Sequence, residues 1–234
     1  MTPDLRYFEV AGRKIAFRLR GGQSPALVFL PGYASDMEGA KARALDAFAE
    51  RHGIAMLRID YSGSGSSGGR FEDGTLASWI EEALSAIDQF TDGPLILVGS
   101  SMGGWIALHL AQLRPERTRA LVGIAAAPDF TQWGFTKEQA AKLASEGRVT
   151  RAFWESGQQH LLLGDQIAVG CPVRLIQGEL DEDVPLDVAF RTLRALRSSD
   201  VQLNVIKGGG HRLSEPHEID AILRTVADLL EPKL

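Results

Sequence analysis

Three residues in this chain could together perform nucleophilic acyl transfer: Ser101, Asp181 and His211. Ser101 lies in Gly99-Ser100-Ser101-Met102-Gly103, after the apolar run Leu95-Ile96-Leu97-Val98 and before an apolar helical pattern over 104–113. Gly-x-Ser-x-Gly between a strand and a helix predicts a nucleophile elbow, a turn so sharp that the hydroxyl stands above the sheet. Glycines flank the serine because a Cβ at either place would meet neighbouring backbone. The helix that starts there also points free N–H groups at the reaction site.

A serine hydroxyl is a weak nucleophile near neutral pH and needs a base within hydrogen-bond reach. Of the five histidines, His52, His109, His160 and His217 fall within or beside helical patterns; His211 alone follows a predicted strand, after Gly208-Gly209-Gly210. His211 is therefore the expected base, with activity rising with pH as the imidazole loses its proton. Four acids compete to orient it: Glu179, Asp181, Glu182 and Asp183. Gly-x-x-Asp before Val-Pro makes Asp181 the tip of a turn, with Asp183 second or a helix cap. The order Ser101, Asp181, His211 fits strand ends of one parallel sheet. An oxyanion formed at Ser101 needs two N–H donors, expected from Met102 and from Tyr33, where Gly32 permits close approach. Tyr33 could equally be a loop aromatic packed on a lid.

The elements that must position these groups are legible in the pattern. Tyr7–Val10 and 13–19 alternate around Ala11-Gly12 as an antiparallel hairpin. A turn is expected over 21–25, then strands at 26–30, 54–59, 95–98, 119–126, 172–177 and 201–206. Helices are expected over 38–51 (inner face Ala40, Ala44, Leu45, Phe48) and from Thr75, with the stripe Leu76, Trp79, Ile80, Ala83, Leu84, Ile87. Others cover 102–113, 186–198 and the C-terminal stretch carrying Ile219, Ile222, Leu223, Val226, Leu229 and Leu230. Alternating strands and helices after a hairpin imply an α/β fold with a doubly wound, mostly parallel sheet. Residues 128–170 break the pattern, with Phe130, Trp133, Phe135, Phe153 and Trp154 among polar residues and helical pieces near 137–145 and 149–158. A connection that long reads as a cap between two halves of a core, 1–127 and 171–234. Trp105, Trp133 and Phe153 are expected to wall an apolar substrate pocket; ordinary packing would also use such aromatics.

Composition narrows the classes. A net charge of −5 gives no footprint for nucleic acid or an anionic membrane surface. No apolar run is long enough to span a bilayer. One cysteine, Cys171, excludes an intrachain disulfide and a cysteine-based metal cluster, and reads as a small buried residue. The Gly-Ser loop after Asp60 lacks the Lys-Ser/Thr and the following helix of a phosphate cradle. No metal and no organic cofactor is called for.

The segments LPGYASDMEGAKA, IDYSGSGSSGG, GPLILVGSSMGGW and CPVRLIQGELDEDVP, with the histidine-bearing C-terminal third, resemble the α/β-hydrolase family over essentially the whole chain. Within it the chain is most similar to the branch of palmitoyl-protein thioesterases and mycophenolic acid acyl-glucuronide esterases. Many members of the family carry His-Gly after the third strand; Pro31-Gly32-Tyr33 stands here, as in that branch. The resemblance implies a serine hydrolase of carboxylic esters or thioesters acting through an acyl-enzyme on a small acylated substrate. The same triad also serves C–C bond hydrolases and serine peptidases, and a non-catalytic binding protein usually lacks one of its members. No Arg-rich presequence precedes Tyr7, so the expected location is cytoplasmic.

Overall fold

The computed structural model of the chain, which describes residues 2–134 and 149–230, opens with a hairpin. In it β1 (Leu5–Val10) and β2 (Arg13–Arg20) pair antiparallel around Ala11-Gly12. Six further strands join them in one sheet: β3 (Gln23–Leu30), β4 (Ile54–Ile59), β5 (Leu95–Ser100), β6 (Thr118–Ile124), β7 (Val173–Gly178) and β8 (Val201–Ile206). The order is β1-β2-β4-β3-β5-β6-β7-β8. β2 runs antiparallel to β4, and every pair from β4 to β8 is parallel. The winding direction reverses at β3 and β5, so the loops leaving their carboxyl ends part and leave a crevice.

Helices cover both faces. α1 (Ala40–His52) and α7 (Pro216–Leu230) bury one side, against Leu27, Phe29, Met56, Val98 and Val122. α2 (Leu76–Phe90) and α3 (Met102–Leu113) bury the other. α2 begins where expected: the Thr75 hydroxyl accepts the Ser78 N–H, and the Ser78 hydroxyl accepts the Thr75 N–H. α3 is apolar nearly all round because it is buried nearly all round. Between β6 and β7 the chain leaves the sheet, with α4 (Phe130–Trp133) and α5 (Arg151–Gln158) packed on each other and α5 on α2. α6 (Leu186–Ala195) follows β7.

Three expectations shift. Strand β3 starts at Gln23, inside the anticipated turn over 21–25, because the Gln23 N–H reaches the Gly53 carbonyl and extends the pairing with β4. The inner face of α1 is Ala42, Leu45, Asp46, Phe48 and Ala49, with Ala40 exposed and Ala44 half-buried. Asp46 turns inward to take two hydrogen bonds from Arg20 (3.0 and 2.8 Å), a pairing that an apolar count misses. α6 ends at Ala195 rather than at 198, since Leu196 bridges Ile167 and the Arg197 N–H bonds the Ile167 carbonyl. The expected helix over 137–145 and Phe135 lie outside the described residues.

The turn between β5 and α3 is packed without slack. A Cβ on Gly103 would overlap the carbonyl oxygen of Leu30, and one on Gly99 the carbonyl of Gly103. Alanine for glycine inside an ordinary helix stabilises by about 1 kcal/mol. Gly103→Ala is expected to have the opposite sign, destabilising by about 1–3 kcal/mol as overpacking does. Urea unfolding of the variant checks this, and an unchanged or higher midpoint contradicts it.

Candidate active site

Ser101 occupies φ 52° and ψ −120°, a conformation that a residue with a side chain rarely adopts. Holding it there costs about 1–3 kcal/mol, which the surroundings must offset. Three backbone bonds do so: Ser101 N–H to the Ile124 carbonyl (2.9 Å), and Gly104 and Ala127 N–H to the Ser101 carbonyl (2.9 and 3.0 Å). The turn is thereby tied to the ends of β6 and α3. The Ser101 side chain makes no capping bond to the helix it opens, so its hydroxyl is not spent on the backbone. Met102 takes the first helical position, where an N–H has no intrahelical acceptor.

Asp181 and His211 meet from the loops after β7 and β8. His211 Nδ1 lies 3.0 and 3.1 Å from the two carboxylate oxygens of Asp181. With Nδ1–H donating to the carboxylate, Nε2 is left as the acceptor. The Asp181 side chain is fully shielded from solvent. Its Oδ1 accepts the N–H groups of Asp183 (3.0 Å) and Val184 (2.8 Å), and its Oδ2 the side-chain amide of Gln177 (2.7 Å). Burial pushes the Asp181 carboxyl up, but the bonds from His211, Val184 and Asp183 and the His211 charge outweigh it and hold it below its ordinary value.

His211 and Ser101 line one cavity of about 460 Å³, with Gly32, Tyr33, Lys41 and Arg212. The loop after β3 lies directly on the serine: a Cβ on Gly32 would come within 3.3 Å of the Ser101 Cβ. Among the described residues one grouping could gather a metal ion, Asp181, Asp183 and His211, with ligand atoms within 4.8 Å. Two of its three members are already bonded to each other.

The expected pocket aromatics stand elsewhere. Trp105 is fully buried, and its indole N–H donates to the His160 carbonyl (3.1 Å), which also takes His109 Nε2 (3.1 Å). Burial pushes His109 down to about 4, the His160 charge adding to the fall and the His160 carbonyl opposing it. The Trp133 indole donates to the Pro128 carbonyl (2.7 Å), and its ring packs with Val184 and Val188. Phe153 is buried among Tyr33, Trp79 and Phe130. None of the three lines the cavity beside Ser101. Tyr33 does, and it also touches Phe71 and Phe153 (ring centroids 4.9 Å each), linking the cavity to α5. Cys171 is half-buried, its thiol pushed up to about 11 by burial.

Sequence reasoning missed four positioning residues. Asp60 accepts the N–H groups of Met37 (2.7 Å) and Ser66 (2.8 Å), tying the loops after β3 and β4. Glu82, on α2, takes Ser62 N–H (2.9 Å), the Ser62 hydroxyl (2.7 Å) and Arg13 (2.6 Å). Asp129 takes Leu162 and Leu163 N–H (2.8 and 2.7 Å), and so fastens the far part of the segment between β6 and β7 to the end of β6. Burial raises the carboxyls of Asp60, Glu82 and Asp129. The fourth is Gln177. No signal in the residues marked them; the structure places Glu82 among the buried positions of α2.

Residues 25–156 match the profile of a family described as alpha/beta hydrolase fold. The palmitoyl-protein thioesterase ABHD10, mitochondrial, of Homo sapiens is 38% identical over 93% of this chain and 76% of its own length. The solved structure of the alpha/beta hydrolase domain-containing protein 10 from mouse superposes with a TM-score of 0.90 at 34% identity, over 97% of this chain and 98% of that one. Est1E from Butyrivibrio proteoclasticus, solved with ferulic acid, shares the fold at 20% identity (TM-score 0.76, 96% and 97% covered). No helix among the described residues is long and apolar enough to cross a membrane.

A carboxyl whose folded value is depressed adds stability that is complete above its unfolded value of about 3.9 and lost as pH falls through the folded value. Asp181→Asn, which cannot titrate, should therefore trail the parent most at pH 6, with the gap narrowing toward pH 2. Urea midpoints measured across that range check it; a gap that widens on acidification contradicts it.

Proposed function

The chain belongs to the α/β-hydrolase family and is a hydrolase of ester or thioester bonds, and we propose that it works through an acyl-enzyme on Ser101 with His211 as base and Asp181 as the group that orients it. The observation that carries this reading is the strained Ser101 on a cavity wall shared with His211, whose Nδ1 is bonded to Asp181. The Ser101 hydroxyl attacks the substrate carbonyl while His211 Nε2 takes its proton. The Asp181 carboxylate holds the imidazole in that tautomer and stabilises the imidazolium. The N–H groups of Met102 and Tyr33 receive the oxyanion; losing one such donor costs about 2.7–4 kcal/mol in barrier height. His211 then protonates the departing alcohol or thiol, and water repeats the sequence to free the acid and Ser101.

The acyl side is placed against Tyr33, the member of the aromatic layer that also lines the cavity. In this reading Trp105, Trp133 and Phe153 support that wall from behind, and 128–170 is the cap over a core made of 1–127 and 171–234. The substrate is a small acylated molecule or an acylated protein side chain, as the name of the human relative suggests. Cytoplasmic residence belongs to the same reading: a lone thiol with no disulfide suits a reducing compartment. The relatives are named mitochondrial, and cell fractionation decides.

Ser101→Ala should lower kcat on p-nitrophenyl butyrate and on an acyl thioester by at least about a thousandfold, with the unfolding midpoint held. Asp181→Asn should lower it by about ten-thousandfold through the wrong tautomer. Steady-state kinetics check both, and a Ser101→Ala enzyme turning over at the parental rate overturns the assignment.

A further inference from the structure

The cavity beside Ser101 is polar on the side away from the aromatic layer. Its lining there includes Ser35, Asp36, Lys41, Arg212 and Ser214, drawn from the loop after β3, the first turn of α1 and the segment after His211. Two cations thus share one wall with one acid. Asp36 already accepts the Glu38 N–H (2.8 Å). The Arg212 guanidinium has no hydrogen-bond or ion-pair partner among the described residues. The Lys41 ammonium donates to the backbone carbonyl of Arg212, which supplies no countercharge, and both residues line the same cavity. Burial pushes Lys41 down and the Arg212 charge adds to the fall, while the Glu218 carboxylate opposes it. Glu218 is itself buried and bonded to the Glu215 N–H (2.8 Å).

Two cations on one cavity wall, one of them without an ion-pair partner among the described residues, attract an anion, and a substrate can bring it. Resting on the proposed hydrolysis at Ser101, we infer that Lys41 and Arg212 form a specificity site for a carboxylate or phosphate carried on the part of the substrate that fills this cavity. The guanidinium offers a planar fork and the ammonium a point charge, a pair suited to either oxyanion. The site adds no chemical step; it lowers KM for substrates whose acyl or leaving portion is anionic.

Matched esters test the inference: p-nitrophenyl butyrate against the mono-p-nitrophenyl ester of glutaric acid for a carboxylate on the acyl side, and phenyl acetate against 4-acetoxyphenyl phosphate for a phosphate on the leaving side. The readout is the ratio of kcat/KM, anionic to neutral, in the parent, in Lys41→Met and in Arg212→Glu. In at least one pair the parent should favour the anionic member, and the pair that responds tells which side and which oxyanion. That ratio should fall about tenfold or more in Arg212→Glu, the size of one charge-assisted bond, through KM rather than kcat. It should also fall as salt is raised. Arg212 is exposed, so its variant folds even where Lys41→Met does not. Ratios in both pairs that are indifferent to Arg212→Glu overturn the anion site, while turnover of the neutral esters that vanishes in Ser101→Ala still upholds the hydrolase reading. Neutral turnover that survives Ser101→Ala removes that reading and the anion site with it.

Discussion

One turn sets the terms for the rest of this molecule. Between β5 and α3 the backbone must reverse within a residue, and the residue that does so carries a side chain at φ 52°. An L residue placed there relaxes unless its neighbours forbid it. The Ile124 carbonyl, the Gly104 and Ala127 N–H groups and the close backbone around Gly99 and Gly103 all forbid it. The sheet can be seen as the means of bringing those partners to one spot: β3, β5 and β6 are adjacent, and each supplies a wall of the turn.

Convergence beyond the turn is made by buried carboxylates. Asp60 gathers the loops after β3 and β4, Glu82 holds the Gly-Ser loop to α2, and Asp129 pins the segment between β6 and β7. Each is buried at a cost and recovers it through two or more backbone or hydroxyl donors. Asp181 obeys the same rule with one difference: His211 is among its donors, so its carboxyl is held low where the other three are raised. What sets this clamp apart is that one of its donors is an imidazole on the cavity wall, the arrangement that the proposed proton relay requires.

How much of this was legible in the residues depends on the range of the interaction. Strand β5, the turn and α3 were readable because apolar runs, flanking glycines and a serine lie within 20 residues of one another. Asp181 and His211 were readable because loops after strands of a parallel sheet fall on one edge, and their 3.0 Å contact follows from that. Asp46, Asp60, Glu82 and Asp129 were not: their partners lie 6 to 69 positions away, and nothing in local periodicity marks an acid as buried. Trp105, Trp133 and Phe153 show the converse ambiguity. Aromatic residues near a cap suggested a pocket wall, whereas two of the three spend their indole N–H groups on carbonyls inside the packing. The polar wall beside Ser101 was invisible for a further reason, since it combines α1 with the loop after β8, residues more than 170 positions apart.

The most direct test of the account is chemical. A fluorophosphonate reacts preferentially with a serine that a neighbouring base activates, and the modified peptide can be located by mass spectrometry after digestion. The account predicts a single adduct per chain, on Ser101, formed much more slowly when His211 is replaced by alanine. An enzyme that hydrolyses esters yet carries the adduct on another residue, or carries none, would contradict it.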